Sequence, residues 1–294
     1  MSFAVSILEQ GLITDPCIGN LYNIQNSGFS RSDRRCSFPL GAAVTALMIT
    51  KGANPYLTLP AAFAAGVAAG ICTGLIHVKC KVRDLLSGII MMTALWTINL
   101  RVAGTANVPL FSQKTIFKND TLDKLLPSGF SAYSTLLIIL IIALIVKIIL
   151  DLYLNTKSGY LLRAVGDNDK LVTAMAKDEG NVKILGLAIA NGLCSLAGCI
   201  FCQEERVFEI SSGTGAMVIG LASVIIGTSI FKKISFVKTT TAVLIGSIIY
   251  KACVAIALKN FEPQDMKLIT AVLFLVILVL SMERKKKVKK NAGA

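Results

Sequence analysis

The chain has 294 residues, of which 54% are hydrophobic and 16% charged. Soluble domains are about a quarter charged, so this composition excludes an ordinary soluble fold, and apolar runs that do not alternate argue against a β-barrel. The formal net charge of +13 sits in short loops and at the tail, the pattern of a membrane protein's cytoplasmic side rather than a nucleic-acid-binding surface.

Eight apolar spans are expected, at about 38–51, 56–77, 85–103, 134–155, 183–203, 214–230, 236–257 and 267–283. Each is compared with the roughly 20 residues that cross about 30 Å of hydrocarbon. The predicted fold is all-α, a polytopic transmembrane bundle in one domain over 1–294. Span 38–51 is short, covering about 21 Å at 1.5 Å per residue. It is bounded by Pro39 and by Gly52-Ala53-Asn54-Pro55. A broken or re-entrant half-helix fits, and so does a tight helical hairpin. The runs Ala61 to Gly74 and Gly213 to Gly227 are dense in small residues, and Gly66 and Gly70 form a GxxxG. Such faces let helices approach closely. The segment from Gly104 to Ser131 reads as an external cap or a loop.

Basic residues orient the spans. Lys79, Lys81 and Arg83 mark one inner loop; Lys157, Arg163, Lys170, Lys177 and Lys183 a second; Lys232, Lys233 and Lys238 a third; Arg284 to Lys290 the tail, which also meets anionic lipid. Alternate loops carry Glu204, Glu205, Glu209, Glu262 and Asp265. The expected C-terminus is cytoplasmic. Met1 to Ile13 holds Glu9 and no basic start, so it does not read as a standard cleaved signal peptide.

The polar stretch 156–182 stands out between two apolar spans. Gly166-Asp167-Asn168-Asp169 is a helix start signal, because Asp and Asn accept from free N–H groups of a first turn. Lys170 to Asp178 follows with good helix formers, and Leu171, Ala174 and Met175 share a face. Gly180-Asn181 supplies a stop. The product is a short exposed helix that suits a groove on a cytoplasmic partner or lies on its own bundle.

Catalytic patterns are sparse. No GxxxxGK[ST], HExxH or GxSxG occurs. Cys199 and Cys202 form a CxxC without a second pair or a nearby His, and buried Cys behaves as a small hydrophobe. His77, the sole histidine, ends a span at the cytoplasmic side and reads as an interfacial residue. Thr93, Thr97, Asn99 and Asn191 are polar groups inside apolar spans, where each needs a partner. They are candidates for a substrate path or for interhelical hydrogen bonds. Trp96 packs a planar ligand or fills the bundle.

Residues 37–57 (SFPLGAAVTALMITKGANPYL), 88–110 (GIIMMTALWTINLRVAGTANVPL), 159–176 (GYLLRAVGDNDKLVTAMA), 183–203 (KILGLAIANGLCSLAGCIFCQ) and 217–227 (MVIGLASVIIG) resemble the permease subunits of bacterial ABC importers. The likeness is to the ribose and branched-chain amino acid permeases, nearest to proposed tryptophan or tyrosine importers. It implies a multi-pass protein of the bacterial cytoplasmic membrane that pairs as a permease dimer. It implies ATPase subunits docking below, an external substrate-binding protein above, and no cofactor on this chain, ATP being bound by the partner. It also implies that the loop helix after Gly166 is the coupling helix, with Arg163, Gly166, Asp167, Asn168, Leu171, Ala174 and Met175 at the docking surface. An aromatic amino acid substrate is implied by the family alone.

Residues 14–36 depart from the family, which carries an apolar helix and then a segment like FPDLTVDGSFPLG. Back-translated with suitable synonymous codons and read one base later, residues 18–35 give LGIYITYKILDFPDLTVD. The agreement with the family pattern is continuous over residues 29–35, so 14–36 reads as a frameshifted segment whose frame returns at Ser37; the alternative is a genuine divergent amphiphilic N-terminus. A first apolar span would then be missing from this product. The competing functions are an ATP-independent secondary transporter or channel and a membrane-embedded enzyme. The second is disfavoured by the lack of an intramembrane acid, His or metal cluster.

Overall fold

The computed structural model describes residues 34–117, 134–167, 179–231 and 239–258, with isolated helical positions between 268 and 279. The eight helices followed here are α1 (Arg34–Thr50), α2 (Thr58–Val78), α3 (Asp84–Ala103), α4 (Ser134–Leu154), α5 (Lys157–Asp167), α6 (Glu179–Glu205), α7 (Ser212–Phe231) and α8 (Thr239–Leu258). Two short strands, β1 (Asn107–Pro109) and β2 (Val207–Glu209), pair antiparallel with Val108 opposite Phe208. Among the described residues, four stretches are long and apolar enough to cross a membrane: Pro55–Val78, Leu85–Ala103, Thr135–Leu154 and Gly180–Glu205. Shorter apolar helices are Ser37–Thr50 and Thr241–Ile256.

The core is the packing of α1 and α2 on α6. Small residues make it possible. Gly66, Gly70 and Gly74 recur every fourth position of α2 and face Asn191, Leu187 and Ile184 of α6. A Cβ on Gly66 or Gly70 would overlap the carbonyl oxygens of Asn191 or Leu187. The predicted GxxxG thus extends one repeat further and carries the closest approach of two spans. On the other side of α6, Gly198 lies against the Phe38 carbonyl, and Gly41 of α1 lies against the Ser195 carbonyl.

Helix α1 runs alongside the second half of α6 only. Ser37 meets Asn191, Gly41 meets Ser195 and Thr45 lies beside Cys199. It starts at Arg34, earlier than the apolar pattern suggested, and contains Pro39. Pro39 is the sixth helical residue, past the four N–H groups that lack partners in any case, so the helix gives up one backbone bond in its second turn. At its far end Gly52 takes φ +77, a left-handed conformation that suits glycine. Asn54 then accepts from the Tyr56 N–H and opens a 3₁₀ turn, Pro55–Leu57, that leads straight into α2. The short span therefore forms one arm of a tight helical hairpin. Residues 1–33, which include most of the anomalous 14–36 segment, lie outside the described residues.

Helix α3 packs on α1 and α2; α7 and α8 pack on each other, with α7 also touching α1. Gly246 sits against the Ser223 carbonyl and Gly227 against that of Ala242, so this pair too is glycine-close. Residues 104–117 form a cap on the bundle: Leu110 and Ile116 are buried, and the Ile116 N–H donates to Gln203 Oε1 at 3.0 Å.

Candidate functional site

Two regions collect the candidate residues: the end of the bundle at α5, and the polar positions within the spans. At the first, the Thr156 hydroxyl accepts from the Gly159 N–H at 3.3 Å and so caps α5. Gly159 lies against the Leu154 backbone, and a Cβ there would overlap it. Tyr153 and Ser158 join their hydroxyls at 3.1 Å across the same corner. Leu162 is buried with Leu150, Leu154, Leu187 and Leu193. A polar, amphipathic helix is thereby clipped to the ends of both α4 and α6. The expected start signal at Gly166-Asp167 falls inside this helix, which begins at Lys157. Helix α5 is additional to the helix expected over Lys170–Asp178, with Thr156 as its cap and Leu162 as its apolar anchor. Arg163, Gly166 and Asp167 occupy its last turns. Asn168, Leu171, Ala174 and Met175 lie outside the described residues.

The substrate-path candidates separate. Thr93, Trp96 and Thr97 share the exposed face of α3, with Trp96 40% exposed, and the Thr93 hydroxyl donates to the Ile90 carbonyl at 2.8 Å. Asn99 is buried on the opposite side of the helix. Asn191 is buried between helices: its Oδ1 accepts from the Ser37 hydroxyl at 2.8 Å and its Nδ2 donates to the Leu187 carbonyl at 3.1 Å. Ser195 donates to the Ala62 carbonyl at 2.6 Å. About two turns on, Gln203 Nε2 donates to Thr58 Oγ1 at 2.8 Å. This ladder pins α6 to both arms of the hairpin. Cys199 and Cys202 are both buried within α6, with Thr58 Oγ1 3.4 Å from Cys199 Sγ. His77 Nδ1 donates to the Val82 carbonyl at 2.8 Å and fastens the turn between α2 and α3.

Two polar groups inside α8 were not among the sequence candidates. Lys251 is only 9% exposed, and Tyr250 is fully buried with its hydroxyl lacking a hydrogen-bond partner among the described residues. A cation inside an apolar span is itself the sequence signal for a functional position. A cavity of about 440 Å³ lies between α2, α4 and α6, lined by Leu59, Phe63, Val146, Leu150, Ile189 and Leu193 among others. Its wall is apolar, so it offers nothing to a charged solute.

The family of the permease component of branched-chain amino acid transport systems matches residues 37–282. The chain belongs to this permease family. A tyrosine transport system permease protein of Clostridioides difficile (strain R20291) is 36% identical over 280 residues, 95% of this chain and 91% of that protein. An uncharacterized protein of Rickettsia prowazekii (strain Madrid E) is 29% identical over 285 residues, 95% of this chain and 97% of that one. No solved structure matches. This permease is a helical membrane protein and a transport subunit rather than an enzyme.

Proposed function

We propose that this permease is the membrane-spanning subunit of an ATP-driven importer for a small amino acid, with an aromatic one such as tyrosine as its substrate. The observation that carries the reading is the 36% identity to a tyrosine transport system permease over nearly the whole of both chains. The external binding protein delivers the solute, two permeases pair, and ATP is bound by a separate ATPase subunit. The protein lies in the bacterial cytoplasmic membrane with its C-terminus inside.

In this reading the ATPase docks at the α5 end, on Arg163, Gly166, Asp167 and the following Asn168, Leu171, Ala174 and Met175. The anchoring of α5 to α4 and α6 supports the assignment. A lever transmits motion only if it is fixed to what it moves, and Leu162 and the Tyr153–Ser158 bond fix it to two spans at once. The solute path is proposed along Thr93, Trp96 and Thr97 on α3, with Asn99 and Asn191 behind them. The anomalous residues 14–36 are proposed to be a frameshifted stretch, and the family match beginning at residue 37 supports this. Sequencing the gene tests it: codons that do not yield the apolar reading reject it.

The importer reading is tested by uptake of labelled L-tyrosine in cells with the ATPase gene present or deleted, alongside co-purification of that ATPase on this chain. Undiminished uptake without the ATPase rejects it in favour of an ATP-independent carrier. Gly166→Pro, which breaks the helix, and Ala174→Glu are expected to abolish uptake while the protein remains in the membrane.

A further inference from the structure

We infer that the apolar groove between α2, α4 and α6 is a lipid-binding site, which seats the acyl chains of an anionic phospholipid whose headgroup rests on Lys157 at the start of α5. The importer reading enters only in naming the leaflet: with α5 on the cytoplasmic side, the lipid belongs to the inner one.

The groove has a floor and two walls. Leu193 and Leu196 of α6 form the floor, with Phe63 of α2 on one side and Ile149 and Tyr153 of α4 on the other. Its volume is about 440 Å³, and the surface it presents is apolar throughout. All these positions fall inside stretches long and apolar enough to cross a membrane. Water would find no polar partner there, and a void would forfeit contacts on three helices. That leaves hydrocarbon or protein, and size separates them. From Val146 to Tyr153 the α4 wall runs about 10.5 Å. A helix about 10 Å across, laid along that length, takes roughly 800 Å³, well above the volume of the groove. An acyl chain is slender and adapts its bends. The groove opens beside Ile149, 62% exposed, onto the apolar face of α4 that carries Ile145 and Ile148. A chain enters it from the bilayer without leaving hydrocarbon.

Such entry gains nothing from hydrophobicity alone, because bulk lipid is as apolar as the groove. Selection comes from the polar end. There the Tyr153 ring lines the groove while its hydroxyl shares a hydrogen bond with Ser158 at 3.1 Å, as aromatic residues do at a membrane–water boundary. Lys157, which precedes Ser158 and opens α5, is exposed. Tyr160, three residues on and therefore on the same face, is exposed too. A cation and an aromatic ring thus stand where the groove reaches the interface, and an anionic headgroup complements the cation. A zwitterionic lipid would bring a cation of its own to the same place. Leu150 and Leu193 line the groove and belong to the cluster that anchors α5 through Leu162, so the lipid braces the corner where that helix is fastened.

The test uses the purified full chain in detergent and phosphatidylglycerol with a photoreactive diazirine in its tail. Labelling of the peptides that carry Phe63 and Ile149 is expected, and excess unlabelled phosphatidylglycerol should suppress it. Phosphatidylcholine should compete more weakly, and glycerol 3-phosphate, a headgroup without chains, not at all. Lys157→Gln should weaken competition by phosphatidylglycerol about fivefold, the effect of one basic residue at an anionic membrane surface, and leave that by phosphatidylcholine unchanged. Ile149→Trp adds bulk at the rim of the groove rather than in the core, and should abolish the suppressible labelling at Phe63. Four results would overturn the assignment: even labelling along α4 that excess lipid does not suppress, the mark of bulk lipid only; suppression by glycerol 3-phosphate alone; equal competition by the two lipids; or loss of a dimer in Ile149→Trp, which would make the groove a seam between copies. Failure of ATP-driven L-tyrosine uptake in the unaltered assembly would strike the importer reading and leave these readouts where they stand.

Discussion

Helices α4 and α6 are both long and apolar, yet 72% of the span in α6 is buried against 22% of that in α4. The more hydrophobic of the two is α4, with Leu144, Ile145 and Ile148 all about half exposed. The buried helix instead carries Ala188, Ala190, Gly192, Ser195, Ala197 and Gly198. In water the order would be reversed. In a bilayer, lipid tails are as apolar as leucine, so hydrophobicity does not drive one helix onto another; close backbone approach and hydrogen bonds do.

Substitutions can break this contrast. The largest effect is expected for Gly70→Leu, which forces a side chain into the backbone of both Leu187 and Ala188; backbone cannot swing aside, so the cost exceeds the about 1–3 kcal/mol usual for overpacking, and the folded yield in detergent should collapse. Ile145→Lys on the exposed face of α4 comes next, at about 2.5–3.5 kcal/mol for a cation deep in the membrane, read as lost membrane insertion. Asn191→Ala removes the Ser37 bond and should cost about 0.6 kcal/mol, the mean for such bonds in membranes. Ile148→Ala should leave the melting temperature nearly unchanged; a drop as large as that of Gly70→Leu would mean that α4 is packed against protein.

The same contrast explains what the sequence made legible. The spans among the described residues were readable because each is a continuous apolar run, the expected span 267–283 lying almost wholly outside them, and the helix contact through Gly66 and Gly70 was readable because the spacing matches one turn of helix. Helix α5 was not anticipated because its sequence is mostly polar, and its anchors, Thr156 and Leu162, acquire meaning only beside α4 and α6; the expected helix at Lys170–Asp178 lies outside the described residues. The Ser37–Asn191 bond joins residues 154 positions apart, which no local pattern encodes. Lys251 was overlooked for a simpler reason: one charge disappears in the average over twenty apolar residues. The candidate path residues on α3 were visible as polar groups, but their partition between an exposed and a buried side of the helix depended on which face α1 covers.

Gln203 has a consequence for how the bundle can open. Its amide holds the start of α2 through Thr58 and the cap through Ile116. Prising the cap from the hairpin would sever one or other of these enclosed hydrogen bonds, at about 1 kcal/mol or more. One side chain thus ties the hairpin, the cap and the last turn of α6 together.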